Sequence, residues 1–241
     1  MKHIHLDLTS STNSAIIQYA DVAPVYLTAT AQTAGRGQRG NSWESEPGKN
    51  ITMSILVAPS NVAPRNQFAI SRAVAVAITD ILDPILTPFG KHAAIKWPND
   101  IYIDDNKVAG ILIENTLGGN SIIRSIIGIG LNVNQLNFLS DAPNPISLAA
   151  VTGREFSTEQ IAEAIAIRAV ELIDAIDSPS CYNALYHNRL WRRHGLWRFF
   201  DTATKLEFSA SIDHVADDGR LHLETDTDLR QYYFKEVAFI L

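Results

Sequence analysis

Apolar residues recur along the chain in two periods, and each period predicts its own elements. Alternating or β-branched runs mark strands at residues 4–8, at 25–31 (VYLTATA) and at 51–57 (ITMSILV). Between the first two, a polar turn over residues 9–13 offers N-cap residues to a short helix over 14–19. Residues 32–50 are glycine-rich, polar and without period. Pro64 favours a helix start, and Phe68, Ala69, Val74, Ala77, Ile78, Ile81 and Leu82 then recur at helical spacing until Pro84, which predicts the stop. Strands follow in close succession over 93–97, 101–103, 108–114 and 121–133, with turns at Asp104-Asp105-Asn106 and Leu117-Gly118-Gly119-Asn120. Ser157 with Gln160 three residues on is a capping-box pattern, opening a helix that carries Ile161, Ala164, Ile165, Leu172 and Ile176. A second helix is predicted over 181–193, ended by Gly195.

Past Gly195 the texture changes to short alternating strands alone, predicted over 196–200, 205–214, 220–224 and 231–239, with a tight turn at Asp217-Asp218-Gly219. Helices with consecutive hairpins come first and hairpins alone come last. This predicts an α/β chain of the α+β type, rather than a wholly parallel sheet, with two parts: a main domain over 1–194 and a small β-barrel domain over 195–241.

Composition adds bounds. With 241 residues, 46% apolar and 19% charged, the chain is an ordinary folded one that buries a full core without staples. A single cysteine, Cys181, excludes a disulfide framework and a cysteine zinc cluster and fits a reducing compartment. The first residues, MKHIHLDLTSST, lack the apolar run of a signal peptide. The apolar stretch 121–133 is too short for a bilayer and is interrupted by Arg124 and glycines, so a cytoplasmic protein with no membrane partner is expected. A net charge of −6 argues against a general nucleic-acid binder. Its location matters more: residues 201–241 hold nine acids against four bases, leaving the first 200 residues nearly neutral, so basic motifs there stand out.

Five segments carry candidate chemistry. Gly35-Arg36-Gly37-Gln38-Arg39-Gly40 matches GxGxxG, yet the residues that follow contain Pro47 and Gly48 rather than a helix, and no acid lies about 20 positions on, so the dinucleotide reading fails. What stays is a glycine-rich basic loop whose amides and guanidiniums suit a phosphate or carboxylate, or else a solvated flexible loop. Lys96-Trp97-Pro98-Asn99-Asp100 gathers four polar or aromatic groups around a rigid turn, which a simple turn also explains. Lys107 opens an apolar strand, either as a solvated end or as a point charge for anions, and Gly110 inside that strand suggests close approach of a ligand. Gly128-Ile129-Gly130-Leu131-Asn132 leaves room for a flat group beside an amide, or marks a bulge. Ser10-Ser11-Thr12-Asn13 reads first as helix capping. Neither a G-x-S-x-G elbow nor HExxH is present, and the seven histidines show no metal spacing.

Taken in order, SSTN (10–13), QTAGRGQRGNSW (32–43), KWPNDIY (96–102), KVAGILIE (107–114) and GIGLNVN (128–134) resemble the biotin–protein ligases, also called biotin–[acetyl-CoA-carboxylase] ligases. The likeness spans nearly the whole chain, its last part being similar to the family's SH3-like domain. It implies a mixed-sheet catalytic domain related to class II aminoacyl-tRNA synthetases and lipoate ligases. It implies activation of biotin by ATP, with Mg²⁺, to biotinyl-5′-AMP, then transfer to one lysine of a biotin carboxyl carrier domain.

The resemblance also implies roles. Lys107, Arg36 and Asp100 would be catalytic. Ser11, Thr12, Asn13, Gln32, Gly35, Arg36, Gly37, Gln38, Lys107 and Gly110 would bind biotin. Arg39, Trp43, Lys96, Asn99, Lys107 and Asn132 would bind ATP. No metal-ligand set is implied. Some ligase–repressors carry Arg where this chain has Gln38, which removes a charge from adenylate retention. The SSTN motif starts at Ser10, which leads us to expect a monofunctional ligase without operator DNA as a partner; a homodimer is among the assemblies it allows. The alternatives are a lipoate or octanoate ligase on the related fold and a non-catalytic biotin sensor.

Overall fold

The run Ile51–Val57 is buried at every position, which only a strand covered on both faces and both edges achieves. The structure, a computed structural model, puts it there. It describes residues 1–59, 62–139, 144–176 and 180–240, with their side chains except those of Arg39, Ser180 and Cys181. Seven strands form a mixed sheet in the order β1-β2-β3-β7-β6-β5-β4. They are β1 (Lys2–Thr9), β2 (Val25–Gln32), β3 (Ile51–Val57), β4 (Ala93–Lys96), β5 (Asp100–Ile103), β6 (Asn106–Gly118) and β7 (Ser121–Leu131). β1 and β2 run parallel and every other pair is antiparallel. Among the five helices, α2 (Phe68–Leu86) and α4 (Thr158–Asp174) pack on each other and on one sheet face, where Met53, Ile55, Ile111, Ile127 and Ile129 share their core. α5 (Ser180–Asn188) packs on α2, α1 (Thr12–Ala15) follows β1, and α3 (Leu148–Thr152) follows the sheet. Ser157 caps α4 by accepting from the Gln160 amide at 3.2 Å.

Five more strands, β8 (Trp197–Asp201), β9 (Glu207–Val215), β10 (Leu221–Glu224), β11 (Leu229–Tyr232) and β12 (Val237–Phe239), form an antiparallel sheet in the order β11-β10-β9-β8-β12. Among the described residues no ladder joins β11 to β12 to close it into a barrel. The two sheets are fastened together. Arg72 of α2, buried to 3% exposure, donates to the carbonyls of Val215 at 2.6 Å and Ala216 at 2.7 Å and pairs with Asp217 at 2.8 Å. The Trp97 indole donates to Gly219, whose φ of +90° makes the β9–β10 turn.

Four expectations need correction. Pro84 does not stop α2: the Thr87 amide bonds back to Asp83, so the ladder resumes past the proline, while Leu82 and Leu86 anchor the last turn in the core. The helix placed over 181–193 ends at Asn188, because Ile95 at the sheet edge captures the Arg189 carbonyl and the Trp191 amide. The strand placed over 231–239 splits where Lys235 adopts φ +73°. The first helix begins two residues early, at Thr12. Helix α3 was not expected; Ser147 at its N-cap and Gly153 after its end are the signals that mark it.

Candidate active site

Side chains alternate across a strand, and that alternation builds the floor of the site. Ile111 and Ile129 point to the helices, so Gly110, Leu112, Gly128 and Gly130 face the other way. Gly110 pairs with Gly130 and Leu112 with Gly128, while Thr52 and Ser54 of β3 stand opposite Gly130 and Gly128. The ladder is continuous through Gly128 and Gly130, so the glycines mark no bulge; they leave a trough. Two side chains fill part of it. A Cβ at Gly130 would lie 2.3 Å from the Trp43 ring, and one at Gly128 would lie 2.5 Å from Asn13 Oδ1. Above the trough, beside these two side chains, the cleft keeps a free volume of about 60 Å³.

One end of the cleft is buried and knitted by neutral hydrogen bonds. Ser11 occupies the N-cap of α1, but its hydroxyl makes no capping bond, so capping does not account for the motif. Ser11, Thr12 and Asn13 are 3–5% exposed. Behind them the Ser54 hydroxyl lies 2.8 Å from Thr12 Oγ1 and 2.5 Å from Asn13 Oδ1, and the Gln32 side-chain oxygen Oε1 accepts from the Thr12 backbone amide at 2.8 Å. Ser11, Thr12, Asn13 and Gln32 all line the cleft.

The other end carries charge. Arg36 and Gln38 reach it from the glycine loop, which is a single 3₁₀ turn and irregular backbone rather than a helix. Gly35 is required by close backbone packing, since a Cβ there would lie 2.6 Å from the Trp43 carbonyl. Arg36 makes a forked pair with Glu114, Nη1 to Oε1 at 3.2 Å and Nη2 to Oε2 at 3.0 Å. Asn13 donates to the same carboxylate at 2.7 Å, linking the two ends. Lys107 Nζ pairs with Asp100 at 2.7 Å and sits 5.7 Å from the Trp43 ring centre. Each of these two cations is thus held by a carboxylate of the chain itself. Asn99 lines the cleft but spends its amide on the Ile111 carbonyl at 3.0 Å, extending the sheet edge.

Of the expected residues, Ser11, Thr12, Asn13, Gln32, Arg36, Gly37, Gln38, Trp43, Asn99, Lys107 and Gly110 converge on this cleft. Gly35, Lys96, Asp100 and Asn132 do not line it, although Asp100 reaches it through its pair with Lys107. Asn132 is buried, donating to the Ile146 carbonyl at 3.1 Å. Lys96 lies against Tyr102, Trp191 and Phe239, where burial holds its ammonium below the usual lysine range, with nearby Lys107 and Arg192 adding to the effect and Asp100 opposing it. The Arg39 side chain lies outside the described residues. Sequence reasoning gave no role to Glu114 or Ser54. Glu114 falls on the same face as Gly110 and Leu112, and Ser54 stands opposite Gly128, so strand alternation is the signal that reveals both.

Comparison with known proteins agrees with this geometry. Residues 6–132 match the model of the biotin/lipoate A/B protein ligase family. The chain belongs to that family. Relatives within it include the bifunctional ligase/repressor BirA of Bacillus spizizenii, 29% identical over 97% of this chain and 73% of its own length. Another is the biotin–[acetyl-CoA-carboxylase] ligase of Paracoccus denitrificans, 31% identical over 66% of this chain and 67% of its own. The fold is that of the biotin protein ligase of Aquifex aeolicus solved with biotin and ATP, with TM-score 0.80, 20% identity, and coverage of 98% of this chain and 97% of that one. Among its described residues no helix is long and apolar enough to cross a membrane.

Proposed function

We propose that this chain is an ATP-dependent biotin–protein ligase acting through the cleft just described. The observation that carries the reading is the convergence of four distant segments, at Ser11–Asn13, Arg36–Trp43, Lys107–Gly110 and Gly128–Gly130, on one trough with a neutral end and a cationic end. Biotin has that polarity: an uncharged ureido head and a carboxylate tail. Ser11, Thr12, Asn13 and Gln32 would hold the head through hydroxyl and amide groups, while Gly35, Gly37, Gln38 and Gly110 let backbone and tail approach. Arg36 and Lys107 would neutralise the tail and the α-phosphate as these two anions meet. A carboxylate oxygen attacks the α-phosphorus, the bond to the β,γ-phosphates breaks, and biotinyl-5′-AMP and pyrophosphate form. The amine of a carrier lysine, having lost one proton to solvent, then attacks the acyl carbon; the amide forms, AMP leaves, and the nitrogen's second proton passes to solvent. Asp100, beside Lys107, would face the incoming ammonium.

Trp43, Arg39, Asn99 and Asn132 fall to the nucleotide side, and Trp43 must leave part of the trough for a ligand to occupy it. Among the described residues no three His, Cys, Asp or Glu side chains converge as metal ligands, so the chain offers no cage of its own; Mg²⁺ would travel on the ATP phosphates. Residues 1–194 would form the catalytic domain and 195–241 its companion, in the cytoplasm, where ATP and carboxylase carriers meet.

The test mixes protein, biotin, Mg·ATP and a biotin carboxyl carrier domain and follows the carrier by mass. Addition of one biotin on one lysine is expected. Transfer of lipoate or octanoate in preference to biotin, or no transfer by folded protein, rejects the reading.

A further inference from the structure

Lys96 is an odd residue to half-bury among aromatic rings. Among the described residues its ammonium has no carboxylate within 4 Å. It has instead the Tyr102 hydroxyl at 2.8 Å and three aromatic rings, with centres at 4.5 Å for Tyr102, 5.5 Å for Trp191 and 5.8 Å for Phe239. Those rings come from three places. Tyr102 belongs to the catalytic sheet, Trp191 to the segment after α5, and Phe239 to the last strand of the second sheet. Burying an ammonium without a carboxylate is costly, and methionine would fill the same space without that cost.

The register shows what the charge faces. Lys96 stands directly opposite Asp100 across β4 and β5, and Tyr102 stands opposite Lys107 across β5 and β6. Opposed residues share a face, so Lys96, Asp100, Tyr102 and Lys107 line one strip of the sheet. Asp100 therefore sits between two ammonium groups, Lys107 at 2.7 Å and Lys96 across the ladder. On its own, the Lys107–Asp100 pair is neutral. The second cation leaves the strip net positive and keeps Asp100 from holding Lys107 alone, so Lys107 stays available to an incoming anion.

We infer that Lys96 is a positioning residue: its boxed ammonium, held in part by the last strand of the second sheet, sets the charge balance of the Asp100–Lys107 pair without touching the nucleotide. The inference rests on the ligase reading of the cleft. It gives the second sheet a part in the chemistry, because Phe239 forms one wall of the box. Arg192 reinforces that wall by stacking on Trp191 and donating to the Ile240 carbonyl at 2.7 Å.

The test compares Lys96→Met, which keeps the shape and drops the charge, with Lys96→Arg, which keeps the charge. Both are assayed in the full chain for biotin-dependent pyrophosphate exchange with thermal unfolding alongside. Lys96→Met is expected to fold normally, keep its KM for ATP and biotin within about threefold, and lose roughly tenfold or more in kcat. Lys96→Arg is expected to recover most of that loss. A raised KM for ATP at unchanged kcat would mean that Lys96 touches the nucleotide and would overturn the inference. So would an unchanged kcat, or an arginine variant as poor as the methionine one. If Lys96→Met does not fold, Phe239→Leu, which opens the box from the second sheet, carries the test, and an unchanged kcat there overturns the inference too. An inactive wild type fails the ligase reading and takes the inference with it, whereas an active wild type with an unaffected Lys96→Met fails the inference alone.

Discussion

The two ends of the cleft are built by opposite means. At the Ser11–Asn13 end, polar groups are almost fully buried, and Thr12 and Asn13 bond to Ser54, which is entirely enclosed behind them. At the Arg36–Lys107 end, side chains are partly exposed, charged and paired, Arg36 from its loop to Glu114 of β6 and Lys107 of β6 to Asp100 of β5; Arg36 and Glu114 are 45% and 41% exposed. A buried neutral network cannot rearrange without leaving donors unpaired, so it reads shape and hydrogen-bond pattern. A half-exposed ion pair contributes little net stability and exchanges partners readily, so it accommodates charge that appears and disappears during a reaction. On the proposed ligase reading, the difference divides specificity from turnover: the rigid end would recognise the head group and the movable end would handle phosphate and carboxylate.

That contrast can be broken in a graded way. Lys107→Ala is expected to cut pyrophosphate exchange by about 10²–10³-fold at unchanged melting temperature, since a cation aimed at developing charge is lost while the fold loses only a strand-end side chain. Equal activity in the variant would remove Lys107 from the chemistry. Arg36→Ala is expected to weaken retention of biotin and of a stable adenylate analogue about tenfold by calorimetry, with a smaller change for an uncharged biotin alcohol. Equal losses for all three ligands would mean that Arg36 orders the loop rather than reading the anion.

Ser54→Ala sharpens the comparison from the rigid end. Freed of its partner, the Thr12 and Asn13 pair is expected to lose about threefold to tenfold in biotin affinity, for acid and alcohol alike, with kcat little changed. A loss confined to the acid would contradict the division between the two ends. The smallest effect concerns the second sheet. Burial first, and then His214 and Arg220 beside it, hold His222 below the ordinary histidine range. Folding therefore favours its neutral form, a contribution fully present above about pH 6.5 and lost as pH falls through the lowered value. The unfolding midpoint should drop between about pH 7.5 and about pH 5.5, and His222→Gln should flatten part of that drop. An identical slope in the variant would place the acid sensitivity elsewhere.

Strand periodicity in the sequence located most of both sheets, because alternation and β-branched runs survive without tertiary context. What it missed depended on partners far along the chain. Nothing near Asn188 signals a helix end; the end is imposed by Ile95, whose edge captures the next residues. Pro84 looked terminal because its own lost bond is local, whereas the burial of Leu86 that carries the helix past it is not. In the cleft, the five motifs named the right segments, and their glycines foretold the trough. They did not show that Arg36 pairs with Glu114 and Lys107 with Asp100, since those contacts exist only once loop and strands are folded together. Lys96 lay in a motif but does not line the cleft, and the rings beside it, from residues as distant as Phe239, could not be read from the motif.

The fastening made by Arg72 has a consequence for anyone dividing this molecule. Three of its contacts are carbonyls or a carboxylate of residues 215–217, and its own side chain is 4% exposed. A chain cut after residue 194 would leave that guanidinium in an apolar wall with most of its acceptors gone. A reporter split at that border should therefore reassemble only when both halves are present, which makes the junction a natural place to build a complementation sensor.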